Sequence, residues 1–115
     1  MKYMLLIYTN PAAAAAANAD YDVLHKEYMS FTERIIASGE LVAGDPLEGI
    51  ETATTVRLRG GKTSTTDGPF AETKETLGGY YIVDVKDLDR ALALAAEIPD
   101  AQYGSVEVRP VRDMA

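Results

Sequence analysis

The densest set of chemistry-bearing side chains is one nine-residue stretch, Asp67-Gly68-Pro69-Phe70-Ala71-Glu72-Thr73-Lys74-Glu75. Glu72, Lys74 and Glu75 put acid, base and acid within the span of one turn. Asp67 or Glu75 could take a proton as a general base, and Lys74 could hold an anion or a developing oxyanion. Gly68 permits a sharp backbone turn, and Phe70 is expected to be buried as the anchor of an otherwise polar loop. The competing structural role for the same charges is a set of salt bridges clamping the loop to a partner surface, with Lys74 paired to a carboxylate.

Other candidates lie scattered along the chain. Glu107 and Arg109 alternate with Val106 and Val108, so they share one face of a strand. If the valines pack on helices, Glu107 and Arg109 point to the opposite face, where Arg109 could bind an anionic group. Tyr81 follows Tyr80 in an apolar run, and Tyr28 sits at the centre of a helical stripe. The lone histidine, His25, lies about 60° from that centre and has no orienting carboxylate at a recognisable spacing, so it reads as a packed or surface residue.

The elements that must position these groups follow from periodicity and punctuation. Residues 2–8 form a short apolar run that reads as a strand buried on both faces, ended by Asn10-Pro11. The six alanines 12–17 suit a surface connection with at most one helical turn. Asp20 is a good N-cap for a helix with the stripe Tyr21, Leu24, Tyr28, Phe31 and Ile35, stopped at Gly39. Strands are expected at 41–43, 54–59, 62–66, 78–85 and 105–111, with Gly60-Gly61 as a hairpin turn. Asp87 caps a second helix with Leu88, Ala91, Leu92 and Ala95 on one side and Pro99 beyond its end.

This order is β-α-β-β-α-β with an inserted hairpin, an α+β ferredoxin-like plan in a single domain, residues 1–115. Both helices would cover one face of an antiparallel sheet. The other face needs a cover that a chain of this length does not supply, and a second copy of the chain is the simplest one. The charge of −7 without a basic patch argues against nucleic acid. No stretch approaches a membrane helix, no signal peptide is evident, and the default compartment is the cytoplasm. The absence of cysteine excludes disulfides and thiolate sites. One histidine with dispersed carboxylates makes no metal site, and no phosphate-loop pattern is present, so no cofactor is expected.

The Asp67–Glu75 stretch is similar to the signature of the YCII-related family in its DGPF form. The apolar start at 1–8, the run Leu77-Gly78-Gly79-Tyr80-Tyr81 and the end Glu107-Val108-Arg109-Pro110-Val111 agree with it. The resemblance implies a ferredoxin-like fold that dimerises into an α+β barrel. Some relatives are thought to use a histidine on the first long helix with an aspartate near the end of the second. Matching through 38–42 and through Pro99 puts Tyr28 in the histidine's place and Ile98 in the aspartate's. The histidine-dependent chemistry should then be absent, with His25 dispensable and Tyr28 a hydrogen-bond donor to a bound anion or enolate.

Two functions compete. One is acid–base catalysis on a small molecule, anionic if Lys74 or Arg109 meets it, in a pocket at the sheet and dimer face. Asp67, Glu75 and Lys74 would do the chemistry, with Tyr28, Phe70, Glu72, Tyr81, Glu107 and Arg109 as ligand contacts. The other is a non-catalytic ligand-binding or regulatory module, a role that fits relatives fused to or encoded beside sigma factors. Convergence of Asp67, Lys74, Glu75, Tyr81 and Arg109 on one enclosed cavity would favour the enzyme.

Overall fold

The structure is a computed structural model that describes residues 1–114. The elements run β1 (Lys2–Thr9), α1 (Pro11–Ala16), α2 (Tyr21–Ala37), β2 (Leu41–Pro46), β3 (Thr54–Arg59), β4 (Lys62–Asp67), β5 (Thr76–Asp84), α3 (Leu88–Glu97) and β6 (Ser105–Pro110). Short 3-10 turns occupy Ile50–Thr52 and Pro99–Gln102.

The long helix starts where the sequence says it should. The Asp20 carboxylate accepts hydrogen bonds from the backbone N–H groups of Asp22 and Val23, at 2.9 and 3.3 Å, which satisfies two otherwise unpaired donors. Leu24, Phe31 and Ile35 are buried, and Tyr28 packs half-buried beside them. Tyr21 is 65% exposed and lies outside the stripe in which it was expected. Gly39, at φ 77°, takes the left-handed conformation that ends the helix. In α3 the buried face is Ala91, Leu94 and Ala95, with Ile98 just beyond, whereas Leu88 and Leu92 are exposed. The 91/94/95/98 spacing is the better helical stripe, so the expected face was turned by part of a turn.

The main sheet has order β2-β5-β1-β6, with each neighbouring pair antiparallel. This is the ferredoxin-like order. Burial alternates along β1: Tyr3, Leu5 and Ile7 are buried under the helices, while Met4, Leu6 and Tyr8 are only half-buried on the other face. The expectation of a strand buried on both faces holds for one face within the single chain. Val106 and Val108 pack against the core, opposite Ile7 and Leu5 in register. Phe31 meets Tyr81 edge-on at 5.3 Å between ring centroids, which fixes that tyrosine under α2.

Two polar ties hold the helices in place. Arg90 at the start of α3 donates twice to the Glu40 carboxylate just after α2, at 2.8 Å each. Ser38 donates to the same group at 2.7 Å. These bonds, the arginine's above all, hold the Glu40 carboxyl down at about 2. The second tie belongs to the site described below.

β3 and β4 form their own two-stranded sheet and stand apart from the main one. All of β4 is exposed, as are Val56 and Leu58 in β3. The radius of gyration is 16.0 Å, against about 13 Å for a compact domain of this length. Extents of 47 × 45 × 19 Å describe a thin plate. Among the described residues no helix is long and apolar enough to cross a membrane.

Candidate functional site

α2 lies across the sheet beside the ends of β1, β2 and β5, and a cavity of about 510 Å³ opens there. One wall comes from α2, where Tyr28 and Thr32 are a single turn apart and so project on the same side. The opposite wall is β5, with Tyr81 beneath the helix, while the Tyr80 side chain points to the other face of the strand, beside Leu6. Ile7, Leu41 and Pro46 supply apolar surface. Gly44 is required here: a Cβ at this position would lie 2.6 Å from Tyr81 Cδ1 and 3.0 Å from the Tyr80 carbonyl oxygen. The missing side chain is what lets the Tyr81 ring rest against β2.

The polar groups of the wall are paired with one another. Tyr28 donates its phenolic proton to Asp100 Oδ2 in a hydrogen bond that joins α2 to the turn after α3. Burial, then this bond and the carboxylate charge, push the Tyr28 phenol far above its ordinary value. Tyr28 therefore stays neutral and cannot act as a base. On the open face of the sheet Tyr80 donates to Asp45 Oδ2 at 2.9 Å, and that bond likewise raises its phenol. Tyr81 Oη and Thr32 Oγ1 share a third hydrogen bond of 2.7 Å. His25 and Glu33 stand exposed at the mouth. A second cavity, of about 300 Å³, lies on the other side of Tyr28 and Asp100, with Pro11 and Ala14 of α1 in its wall. His25 lines both.

The candidates read from the sequence divide sharply. Tyr28 and Tyr81 line the main cavity. Asp67, Phe70, Glu72, Lys74 and Glu75 line neither cavity, and nor do Glu107 and Arg109. Phe70 is 81% exposed, which corrects the expectation that it is a buried anchor. Its loop leaves the separate hairpin rather than the main sheet, so no core lies within its reach. The ion pairs among the described residues do not include Lys74. Glu75 accepts a hydrogen bond from Ser105 Oγ at 2.6 Å, at the foot of β6. Glu107 and Arg109 pair with each other on the sheet face away from the helices. The five groups expected to converge thus do not meet in one chain.

Three further corrections concern the cavity itself. Ile98, matched by sequence to a catalytic aspartate, is a core residue at 1% exposure, and the carboxylate that meets Tyr28 is Asp100, two residues on. The 3-10 turn beginning at Pro99 carries it there. It is the sole acidic residue between Glu97 and Glu107, a signal available in the sequence. Tyr28 was expected to donate to a bound anion, but its proton is committed to Asp100. Asp45 was not singled out from the sequence and Tyr80 was read only as part of an apolar run; their pairing needs the β2–β5 register, which sequence alone does not give.

An antiparallel four-stranded sheet under two helices, with a cavity beneath the first long helix, defines a small α+β ferredoxin-like domain. The family description "YCII-related domain" matches residues 1–115, and the chain belongs to that family. It is 36% identical over 114 residues to "Uncharacterized protein R00369" of Rhizobium meliloti (strain 1021), covering 96% of this chain and 92% of that one. Among solved structures it is similar to the 5-chloro-2-hydroxyhydroquinone dehydrochlorinase (TftG) of Burkholderia phenoliruptrix AC1100 in complex with 2,5-dihydroxybenzoquinone. That match has a TM-score of 0.55 at 12% identity and covers 97% of this chain and 94% of the other. At this identity the likeness is one of fold.

Proposed function

We propose that this domain binds a small organic molecule in the cavity between α2 and the sheet. The observation that carries the proposal is the Tyr28–Asp100 hydrogen bond in the wall of a ligand-sized, largely apolar cavity. A cavity of about 150 Å³ is enough for benzene, so about 510 Å³ accommodates a substituted ring. The dehydrochlorinase of similar fold was solved with such a ring, which supports this size class. Binding is better supported than proton transfer, because Tyr28 holds its proton toward the Asp100 carboxylate. A second reading, acid–base catalysis in the same cavity, draws on His25, which lines both cavities, and on the enzymatic nature of that neighbour. The sequence Asp67-Gly68-Pro69-Phe70 supports placing the chain in the DGPF subgroup.

The test is a fragment screen followed by backbone amide chemical shifts. Perturbations should cluster at Tyr28, Thr32, Gly44, Tyr81 and Asp100. Perturbations confined to residues 67–75 would refute the cavity reading and restore the motif loop as the site.

We also propose a symmetric homodimer through the open sheet face, where Met4, Leu6, Tyr8 and Ile82 are half-buried in the single chain. Such a face would bury well above about 1,000 Å². Light scattering that gives a monomer at micromolar concentration would sink this part.

A further inference from the structure

The two cavities adjoin. The larger, of about 510 Å³, and the smaller, of about 300 Å³, share Thr9, His25, Tyr28 and Asp100 in their walls. Two of these residues do not divide the chambers. His25 stands exposed at the rim, and Thr9 Oγ1 is turned to the Thr76 carbonyl of the neighbouring strand. Tyr28 and Asp100 are left to span the gap. One comes from α2 and the other from the turn after α3, and the hydrogen bond between them closes the passage. That bond ends on a charged acceptor in a half-buried setting, which makes it stronger than a neutral one. Burial and the carboxylate keep the phenol protonated at neutral pH, so the bond persists there.

Beyond the divide the wall carries apolar surface from Pro11, Ala14 and Leu24. Ala14 is 4% exposed and Leu24 7% exposed, so this surface is already withdrawn from water. A space of about 150 Å³ is enough for benzene, and the smaller chamber exceeds that. It offers room for one further ring of a ligand seated in the larger chamber, and the tyrosine blocks the way. We infer that Tyr28 sets ligand length: with Asp100 it splits one long site into two chambers, so that the protein takes compact single-ring molecules in the chamber under α2 and refuses elongated molecules with two rings in line. This inference rests on the cavity reading above.

The experiment uses the full chain with benzyl alcohol and 4-phenylbenzyl alcohol, which differ by one ring. In Tyr28→Ala the two-ring alcohol should bind about tenfold more tightly than it binds the parent, because a ring leaves water for the smaller chamber. Benzyl alcohol should stay within about threefold of the parent. Adding Ala14→Leu to Tyr28→Ala refills the smaller chamber and should abolish the gain, a result that a loosened fold would not produce. A folded Tyr28→Ala that gains no affinity for the two-ring alcohol overturns the inference and leaves the cavity reading standing. The parent supplies a test that survives a failure of the variant to fold. Overhauser contacts from either bound alcohol should reach the methyls of Ile7 and Leu41, which line only the larger chamber, and not those of Ala14 and Leu24, which line only the smaller. Contacts to both sets in the parent would show that no divide exists. Contacts to neither Ile7 nor Leu41 would overturn the cavity reading and this inference with it.

Discussion

The cavity under α2 and the arm at residues 47–75 differ in how their polar groups are treated. In the arm, Asp67, Glu72 and Lys74 crowd together in sequence and lie in solvent, beside a phenylalanine that is 81% exposed. In the cavity, Tyr28, Thr32, Tyr81 and Asp100 come from segments up to 72 positions apart, and each is hydrogen-bonded to another of them. A cluster in sequence costs nothing to keep solvated. A polar group brought into a half-buried wall must find a partner, because an unmet one costs about 1–3 kcal/mol. Pairing between distant residues is therefore the stronger mark of a built site than density along the chain.

The sharpest way to test this comparison is with the only two phenylalanines. Phe31 is 1% exposed at the centre of the core and Phe70 is 81% exposed in the arm. Urea denaturation should put Phe31→Ala about 3–5 kcal/mol below the parent and Phe70→Ala within about 0.5 kcal/mol of it. An equal loss in both would show that the arm packs against something outside the single chain.

The next largest effect concerns a paired charge of the body. Glu40→Gln breaks the two-pronged bond from Arg90 and should cost about 2 kcal/mol at neutral pH. Glu40 has its carboxyl lowered from 4.5 to about 2, so its contribution is fully present above about 4.5 and is lost as pH falls toward 2. The gap between parent and variant in urea midpoint should accordingly close over that window. A gap constant with pH would mean that the clamp does not act through ionised Glu40.

Tyr28→Phe is expected to cost about 1–2 kcal/mol, because it leaves the Asp100 carboxylate without its phenol donor. It should also change cavity binding in the fragment screen. A variant as stable as the parent, with unaltered binding, would show that Tyr28 and Asp100 are not the working pair of the wall. The smallest effect is predicted for Lys74→Ala in the arm, within about 0.5 kcal/mol by thermal melting. A larger loss there would give the motif lysine a partner, which the dimer would have to supply.

Some of this could be read from the chain without coordinates. Asp20, the Leu24/Phe31/Ile35 stripe and Gly39 encode α2 locally, through capping, helical periodicity and a left-handed stop. Alternation in 105–110 likewise put Val106 and Val108 on the core side and Glu107 and Arg109 on the other, because strand geometry has a period of two. The order of elements implied the ferredoxin-like sheet, since that order allows few ways to cover one face with both helices.

Tertiary structure alone decided which polar groups meet. Asp100 reaches Tyr28 because a 3-10 turn follows α3, a two-residue offset that the match through Pro99 placed at Ile98 instead. Tyr80 finds Asp45 because β2 and β5 pair in one register, and a shift of one residue would have turned Asp45 to the other face. Phe70 stays exposed because its hairpin stands away from the core, a fact about long-range packing that no local pattern carries. Helices and turns depend on neighbours within about four residues, so the sequence states them directly. A cavity wall depends on contacts between segments far apart in the chain, so only the folded arrangement states it.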